Sequence, residues 1–568
     1  MRDRTAFHLL SLVVIVAALL AGCATPTPQT IEKVVEKPVV VTQQVERVIT
    51  QQVEKVVEKS VVVTATPLPK GGTLTYGLLF SPSAIDPHVG SSWDSGAAIA
   101  NVYDPLVGVD EGGNPAPGLA ESWTVSDDGK SIAFKLRQGV KFHDGTPFDA
   151  AAVKFSFDRI VDPATKSNFA ISLLGPYGAA EVVDEYTVKV TLSEPYAPFL
   201  TNLSLPYLAM VSPAAVAKWG ADYQMHQVGT GAFMMQEYVP NQHLILVKNP
   251  DYNWPPPTAQ HQGPAYLDQV IFKFIPDSSA RVKALQAGDV LVARELSPEQ
   301  SPRLAQDPNF TLLVTDMPGQ TMQFFMNTQK SPTDDIRVRQ ALLYAVDPRI
   351  AANTIFQGYF PVAYGPLAEN TLGFDPSLKD AHSYDAAKAA SLLTEAGWVD
   401  TNNDGVREKD GVPLTLQVIM QNWGHIEELA TLMQGQLLQV GVKLELQMMS
   451  FPAALQAVSD GNYHLSPYGG GGWDPNVLRD YFSSDAYFNW SKINMPDLDE
   501  ILAQAGQSLN VEERVTLYQQ AQQIIMKNAL ILPMLSDGQI IGISNKVKGL
   551  AYDPNGLWPN LYDAYVVE

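Results

Sequence analysis

Gly118–Ile160 reads GLAESWTVSDDGKSIAFKLRQGVKFHDGTPFDAAAVKFSFDRI, and three local signals follow one another in it. Trp123 and Val125 alternate with polar neighbours, Asp127-Asp128-Gly129 supplies a turn whose glycine tolerates positive φ, and Ile132, Phe134 and Leu136 alternate again on the return. That pattern predicts a half-buried antiparallel pair. His143-Asp144-Gly145-Thr146-Pro147 then reads as a second turn, and Asp149 stands at the N-cap of a helix over 150–160. Val153, Phe157 and Ile160 fall at i, i+4 and i+7, one face of that helix. By themselves these residues describe a small α+β unit with no chemistry in it.

The chain around this unit is too long for one ordinary core. At 568 residues, two or more lobes are expected. A hydrophobic fraction of 46% and a charged fraction of 17% are those of a folded globular protein. A formal net charge of -22 excludes the basic footprint that a phosphate backbone requires, so nucleic acid is not a partner. No HExxH, GxSxG or phosphate-binding loop occurs, and no thiol besides Cys23, so neither an enzyme nor a cofactor is indicated. Val228-Gly229-Thr230-Gly231-Ala232-Phe233 lacks the following Lys-Ser or Lys-Thr of a nucleotide loop and runs into strand-like text.

The wording of the opening stretch is more specific than its physics. AESW, SDDGK and FKLRQGVKFHDGTPFDAAAVKFSFDR together resemble the signature of the family 5 extracytoplasmic solute-binding proteins, the oligopeptide, dipeptide and nickel-type receptors of ABC importers. Ile85-Asp86-Pro87-His88, the glycine turn at Gly229-Thr230-Gly231 and Arg337-Val338-Arg339-Gln340-Ala341-Leu342 are similar to further text of that family, so the resemblance covers 70–568. It implies an α/β, two-lobed periplasmic-binding-protein type II-like fold of the large kind (cluster C), with mixed sheets and an extra subdomain in the first lobe. The implied division is 70–105 and 213–316 in lobe I, 106–212 as the extra subdomain, 317–530 as lobe II, and 531–568 as a return to lobe I.

The N-terminus fits an exported receptor. Arg2 and Arg4 precede an apolar Leu9–Leu20, and Leu20-Ala21-Gly22-Cys23 closes it like a lipoprotein cleavage box. The apolar core is shorter than the roughly 20 residues a spanning helix needs. Residues 1–23 are therefore expected to be a signal peptide, with Cys23 lipidated and the mature chain tethered on the outer face of the cytoplasmic membrane. Cys23 is the only cysteine, which excludes an intramolecular disulfide. Within the tether, 24–69, IEKVVEKPVVVT from Ile31 is echoed by VEKVVEKSVVVT from Val53. A narrow valine-seamed helix and an extended spacer both suit it, the second being favoured by its prolines and β-branched residues.

Further along, Asp335 or Asp334 caps a helix whose stripe is Val338, Ala341, Leu342 and Ala345, and Asp385 caps another. Leu414–Met420, Ile426–Val440 and Val442–Met448 read as strand, helix and strand, a crossover that implies parallel pairing. Asp400–Gly405 has the oxygen donors of a calcium loop, but Gly411 takes the place of its bidentate Glu, so an Asx-rich turn is the expectation and no metal is assigned. His88 reads as a hydrogen-bonded structural histidine, since no second histidine lies at ligand spacing. Ser466–Pro475, with four consecutive glycines, reads as an exposed loop of the second lobe.

A receptor of the implied kind grips its solute in an inter-lobe cleft. The resemblance puts the segment after Ile85-Asp86-Pro87-His88 on one wall and the glycine-rich stretch on the other. The candidate contacts are Ser92, Trp93, Asp94, Trp423, Tyr468, Gly470, Trp473 and Asp474, and ordinary core packing is the competing role of each aromatic. Peptide receptors of the family carry an aspartate that pairs with the ligand's ammonium. An ungapped overlay puts Gly471 in that place, leaving Asp474 as the substitute. With that anchor in question, an oligosaccharide, an oligopeptide, and a metal chelate, opine or amino-acid derivative all stay open as ligands. The expected partners are ABC permease subunits and the membrane through the lipid, with the receptor itself a monomer. A membrane-tethered ligand-sensing or chaperone-like lipoprotein on the same fold is the alternative function.

Overall fold

In the computed structural model, the described residues are 71–567 apart from Ser83, Ser91, Glu111, Pro257, Asn422, Trp423, Trp473, Tyr487 and Asn555, and they belong to one compact unit, Pro69–Glu568. The expected export signal, Cys23 and the repetitive segment expected to be a tether lie outside them.

The opening stretch forms the hairpin Ala120–Val125 and Ser131–Leu136, with Gly129 at φ 67° in its turn. Two further strands, Thr187–Leu192 and Tyr177–Asp184, extend it to a four-stranded antiparallel sheet. Asp149 Oδ1 accepts from Ala152 N–H at 2.9 Å and starts the helix Ala150–Val161. Such a cap contributes about 1 kcal/mol. Val153, Phe157 and Ile160 are all buried, on the face the spacing indicates. The helix ends beside Arg159, whose guanidinium holds both oxygens of Asp86 (3.0 and 2.5 Å) and donates to His88 Nδ1 at 2.8 Å. His88 Nε2 in turn donates to the Ala209 carbonyl. Burial, and then the Arg159 charge, push this imidazole down to about 4, so His88 is a neutral structural histidine.

A seven-stranded mixed sheet holds, in order, Phe310–Asp316, Gly538–Ser544, Val292–Ala293, Thr73–Leu78, Gln269–Phe274, His243–Lys248 and Phe233–Val239. A five-stranded sheet holds Lys443–Met449, Thr415–Gln421, Leu465–Gly471, Gly319–Met326 and Ile531–Leu535. Thr415–Gln421 and Lys443–Met449 pair in parallel across the helix Ile426–Leu438, as a crossover requires. The two sheets are the centres of two lobes. The chain passes between them at Met317-Pro318 and again at Ser536-Asp537, where each strand pair changes sheet. The crossings are bonded to each other, with Met317 N–H donating to the Asp537 carbonyl at 2.9 Å.

The glycine-rich stretch is not an exposed loop. Leu465–Gly471 is the middle strand of the five-stranded sheet, antiparallel to Gly319–Met326 with Gly471 opposite Gly319 and Gly470 opposite Gln320. The physical reason is close approach of backbones. A Cβ at Gly319, whose φ is +104°, would lie 2.1 Å from the Gly472 nitrogen, and one at Gly469 would lie 3.1 Å from Met322 Cα. Glycines that read as a turn are here what lets two strands touch. The 400–405 segment is a series of Asx turns. Asp400 Oδ2 accepts from Gly405 N–H, Asn402 Oδ1 from Asp404 N–H and Asp404 Oδ1 from Val406 N–H. The helix Val511–Lys527 starts at an Asn510-x-x-Glu513 capping box that is half formed. Asn510 Oδ1 accepts from Glu513 N–H, while the Glu513 carboxylate turns to Ser508 Oγ.

A candidate solute-binding site beside the crossings

The helix Trp93–Val102 is capped by Ser92, whose Oγ accepts from Ser95 N–H and whose carbonyl accepts from Tyr207 OH at 2.8 Å. Asp94, in its first turn, is 4% exposed. Its Oδ2 accepts from Phe80 N–H at 2.7 Å, and its Oδ1 lies 3.4 Å from Arg294 Nη1 without a hydrogen bond. Arg294 is fully buried, its Nη2 3.1 Å from Glu295 Oε1. None of its three side-chain nitrogens makes a hydrogen bond. A guanidinium offers five N–H donors, so this one is charge-paired and yet unsatisfied. Burial opposes the charge of Arg294, but Glu295 and Asp94 outweigh it and hold the group above its ordinary value. Burial likewise pushes the Asp94 carboxyl up, against the pull of Arg294.

A second arginine fixes the first. Arg281, on the helix Ser278–Ala287, donates to the carbonyls of Arg294, Glu295, Ile275 and Pro276 at 2.6 to 3.0 Å. That clamp holds Glu295 at φ 51°, a left-handed conformation that costs a non-glycine residue on the order of 1 kcal/mol. Nearby, Tyr76 and Tyr552 share a 2.6 Å hydroxyl contact, and the Trp558 indole nitrogen, itself without a partner, packs where a side chain on Gly96 would stand.

The crossings carry the same kind of group. Gln320 and Gln323 sit in a strand buried at every position. Both amide atoms of Gln320 and the Nε2 of Gln323 lack a hydrogen-bond partner in the protein. So do Asp537 Oδ2 and Gln539 Oε1 on the returning crossing. Each such buried orphan costs about 1–3 kcal/mol unless something satisfies it. Such orphan atoms occur both at Arg294 and on the strands next to the crossings, which makes these groups candidates for solute contact.

The sequence-derived candidates separate into groups. Ser92 and Asp94 come together at one helix N-terminus, which Trp93 opens. Tyr468 and Gly470 lie on the strand paired with Gln320 and Gln323. The Tyr468 ring is packed among Tyr481, Phe488 and Trp490, with centroids 4.9 to 5.8 Å away, so it is a member of an aromatic cluster rather than a free platform. Asp474 Oδ1 accepts from Arg514 Nη2 at 2.6 Å and from Asn476 N–H at 2.9 Å. Trp423 and Trp473 lie outside the described residues. Sequence reading missed Arg294, Gln320, Gln323, Asp537 and Gln539. The signal available was two glutamines inside the otherwise apolar strand GQTMQFFM, and an Arg-Glu pair directly after Val292-Ala293.

Comparison with known proteins gives a consistent picture. The model of the bacterial extracellular solute-binding proteins, family 5, matches residues 114–491. The glutathione-binding protein GsiB of Salmonella paratyphi A is 29% identical over 501 residues, covering 83% of this chain and 90% of its own length. NikA from Brucella suis, solved in complex with Fe(III)-EDTA, superposes with a TM-score of 0.78 at 26% identity, covering 87% of this chain and 100% of its own. DppA from Helicobacter pylori, solved with the peptide STSA, gives 0.75 at 26% identity, covering 88% and 98%.

Proposed function

Because the chain belongs to the bacterial extracellular solute-binding proteins of family 5, we propose that the solute it carries is a short peptide or an amino-acid derivative with charged ends. The protein is a receptor of an ABC importer and not an enzyme. The observation that carries the choice of solute is Arg294, a fully buried guanidinium that is ion-paired to Asp94 and Glu295 and yet makes no hydrogen bond. What Arg294 lacks is hydrogen bonds and not counter-charge, and a carboxylate satisfies a guanidinium fork directly with two of them. The relatives point the same way, since one is named for glutathione and another holds a peptide.

In this reading Asp94, Arg294, Gln320 and Gln323 make the polar contacts. Trp93, Trp423 and Trp473 remain proposed aromatic walls, and Ser92, Tyr468, Gly470 and Asp474 shape the surroundings. Solute bound to both lobes favours the closed arrangement, which the permease subunits would recognise. Lipidation at Cys23, with 24–69 as spacer, would keep the receptor at the membrane. The test is a thermal-shift panel at neutral pH. Di- and tripeptides or acidic amino-acid derivatives are expected to raise the melting temperature. Stabilisation by neutral oligosaccharides alone would overturn the reading.

A further inference from the structure

Asp537 occupies the returning crossing, between the strands Ile531–Leu535 and Gly538–Ser544. Its carbonyl accepts from Met317 N–H and its Oδ1 from Gly538 N–H, both at 2.9 Å, so its position is fixed. The residue is 7% exposed, and its Oδ2 has no partner. Gln539, two residues on and 1% exposed, donates its amide to the Gly556 carbonyl at 3.3 Å, and its Oε1 is also unpartnered. Side chains two apart in an extended strand share a side. Both orphan atoms are acceptors, so what satisfies them must donate.

The charges facing Asp537 sharpen the requirement. Glu295 and Asp316 both act on it as negative neighbours. Arg294 is engaged with Glu295 and Asp94, and among the described residues no Lys, Arg or His forms an ion pair with Asp537. Burial first, and then Glu295 and Asp316, push its carboxyl up to about 7 against the Gly538 N–H. A buried carboxylate among like charges is stabilised by a donor that brings positive charge.

We propose that Asp537, together with Gln539 Oε1, binds a cationic nitrogen of the solute, a protonated amine or a guanidinium, at the crossing between the lobes. The proposal rests on the peptide-like reading of the solute, and it supplies the cation-binding carboxylate that Asp474, engaged by Arg514, does not offer freely. With Arg294 as the cationic partner in the same region, the site takes a solute bearing both signs of charge.

Two experiments on the full chain test it, and their failures are distinguishable. In the first, trialanine, N-acetyl-trialanine and N-acetyl-Ala-Ala-Arg are titrated at pH 8 into the wild type and Asp537→Asn. The ligands with a cationic nitrogen are expected to bind the wild type at least tenfold more tightly than N-acetyl-trialanine, and Asp537→Asn is expected to erase that difference. The free amine and the arginine arms show which nitrogen is used. Equal binding of all three ligands to the wild type, or an undiminished preference in Asp537→Asn, overturns the proposal. If no peptide binds the wild type, the peptide reading fails, and the second experiment decides on Asp537 alone. Methylammonium chloride, compared with sodium chloride at equal ionic strength, is expected to raise the melting temperature of the wild type at pH 8 but not at pH 5. The sign follows from the ionised carboxylate being the binding form, which is populated as pH rises through about 7. No difference between the two salts at pH 8 overturns the proposal without any variant having to fold.

Discussion

Among the described residues, two of the contacts between the lobes are built from different chemistry. At the crossings the chain itself passes through, Met317 and Asp537 are joined backbone to backbone, and buried charge is gathered close by in Asp94, Arg294 and Asp537, with the half-buried Glu295 beside Arg294. At the far rim the contact is light. Ala197 N–H donates to the Gly506 carbonyl at 2.9 Å, and Gln507 Nε2 donates to Glu194 Oε2 at 2.9 Å. There the turn glycine of the opening hairpin, Gly129, packs against Leu509, which is 54% exposed. Covalent continuity and the backbone bond between the two crossings resist separation, whereas one backbone bond, one side-chain bond and a half-exposed leucine contribute only a few kcal/mol together. The difference yields an expectation about opening: the rim is the contact that solute binding is expected to tip, and the crossings are expected to stay.

The largest effect is expected at the crossing side. Arg294→Met removes a fully buried cation and leaves Asp94 and Glu295 facing each other, which should cost about 3–5 kcal/mol in urea unfolding. A loss below about 1 kcal/mol would break the contrast, because it would mean that the buried charges are not a structural commitment. Gly319→Ala comes next. The added Cβ meets the Gly472 backbone at 2.1 Å in a left-handed conformation, and a loss of about 1–3 kcal/mol is expected. The double change Glu194→Ala and Gln507→Ala should be the mildest for folding, below about 1 kcal/mol. It should nevertheless weaken solute binding roughly fivefold, since about 1 kcal/mol of closed-state contact is lost. Small-angle scattering of the empty variant should show a larger mean radius than the wild type. Unchanged affinity and radius would show that the rim contact does not control closure.

Much of the architecture was legible because its signals are local. The hairpin around Asp127-Asp128-Gly129, the Asp149 cap and the buried face of Val153, Phe157 and Ile160 each depend on neighbours within one or two turns of chain. The crossover over Ile426–Leu438 was legible for the same reason. The glycine stretch misled, because four glycines are a turn signal in isolation and a close-packing signal only when another strand lies against them. The site was the least legible part. Asp94 was read from the segment after Ile85-Asp86-Pro87-His88, but its partner Arg294 is distant in sequence and held by Arg281 through backbone carbonyls. No periodicity announces a buried guanidinium that is left without hydrogen bonds.

The sequence by itself determined the family, the lobe-forming strands and helices, and the caps that start them, since alternation, spacing and turn chemistry act between residues that are close in the chain. Only the tertiary structure decided which polar side chains are left buried without partners. Partnership at that level is set by which distant strands the crossings bring side by side, and a solvated chain satisfies every one of those groups with water until folding removes it.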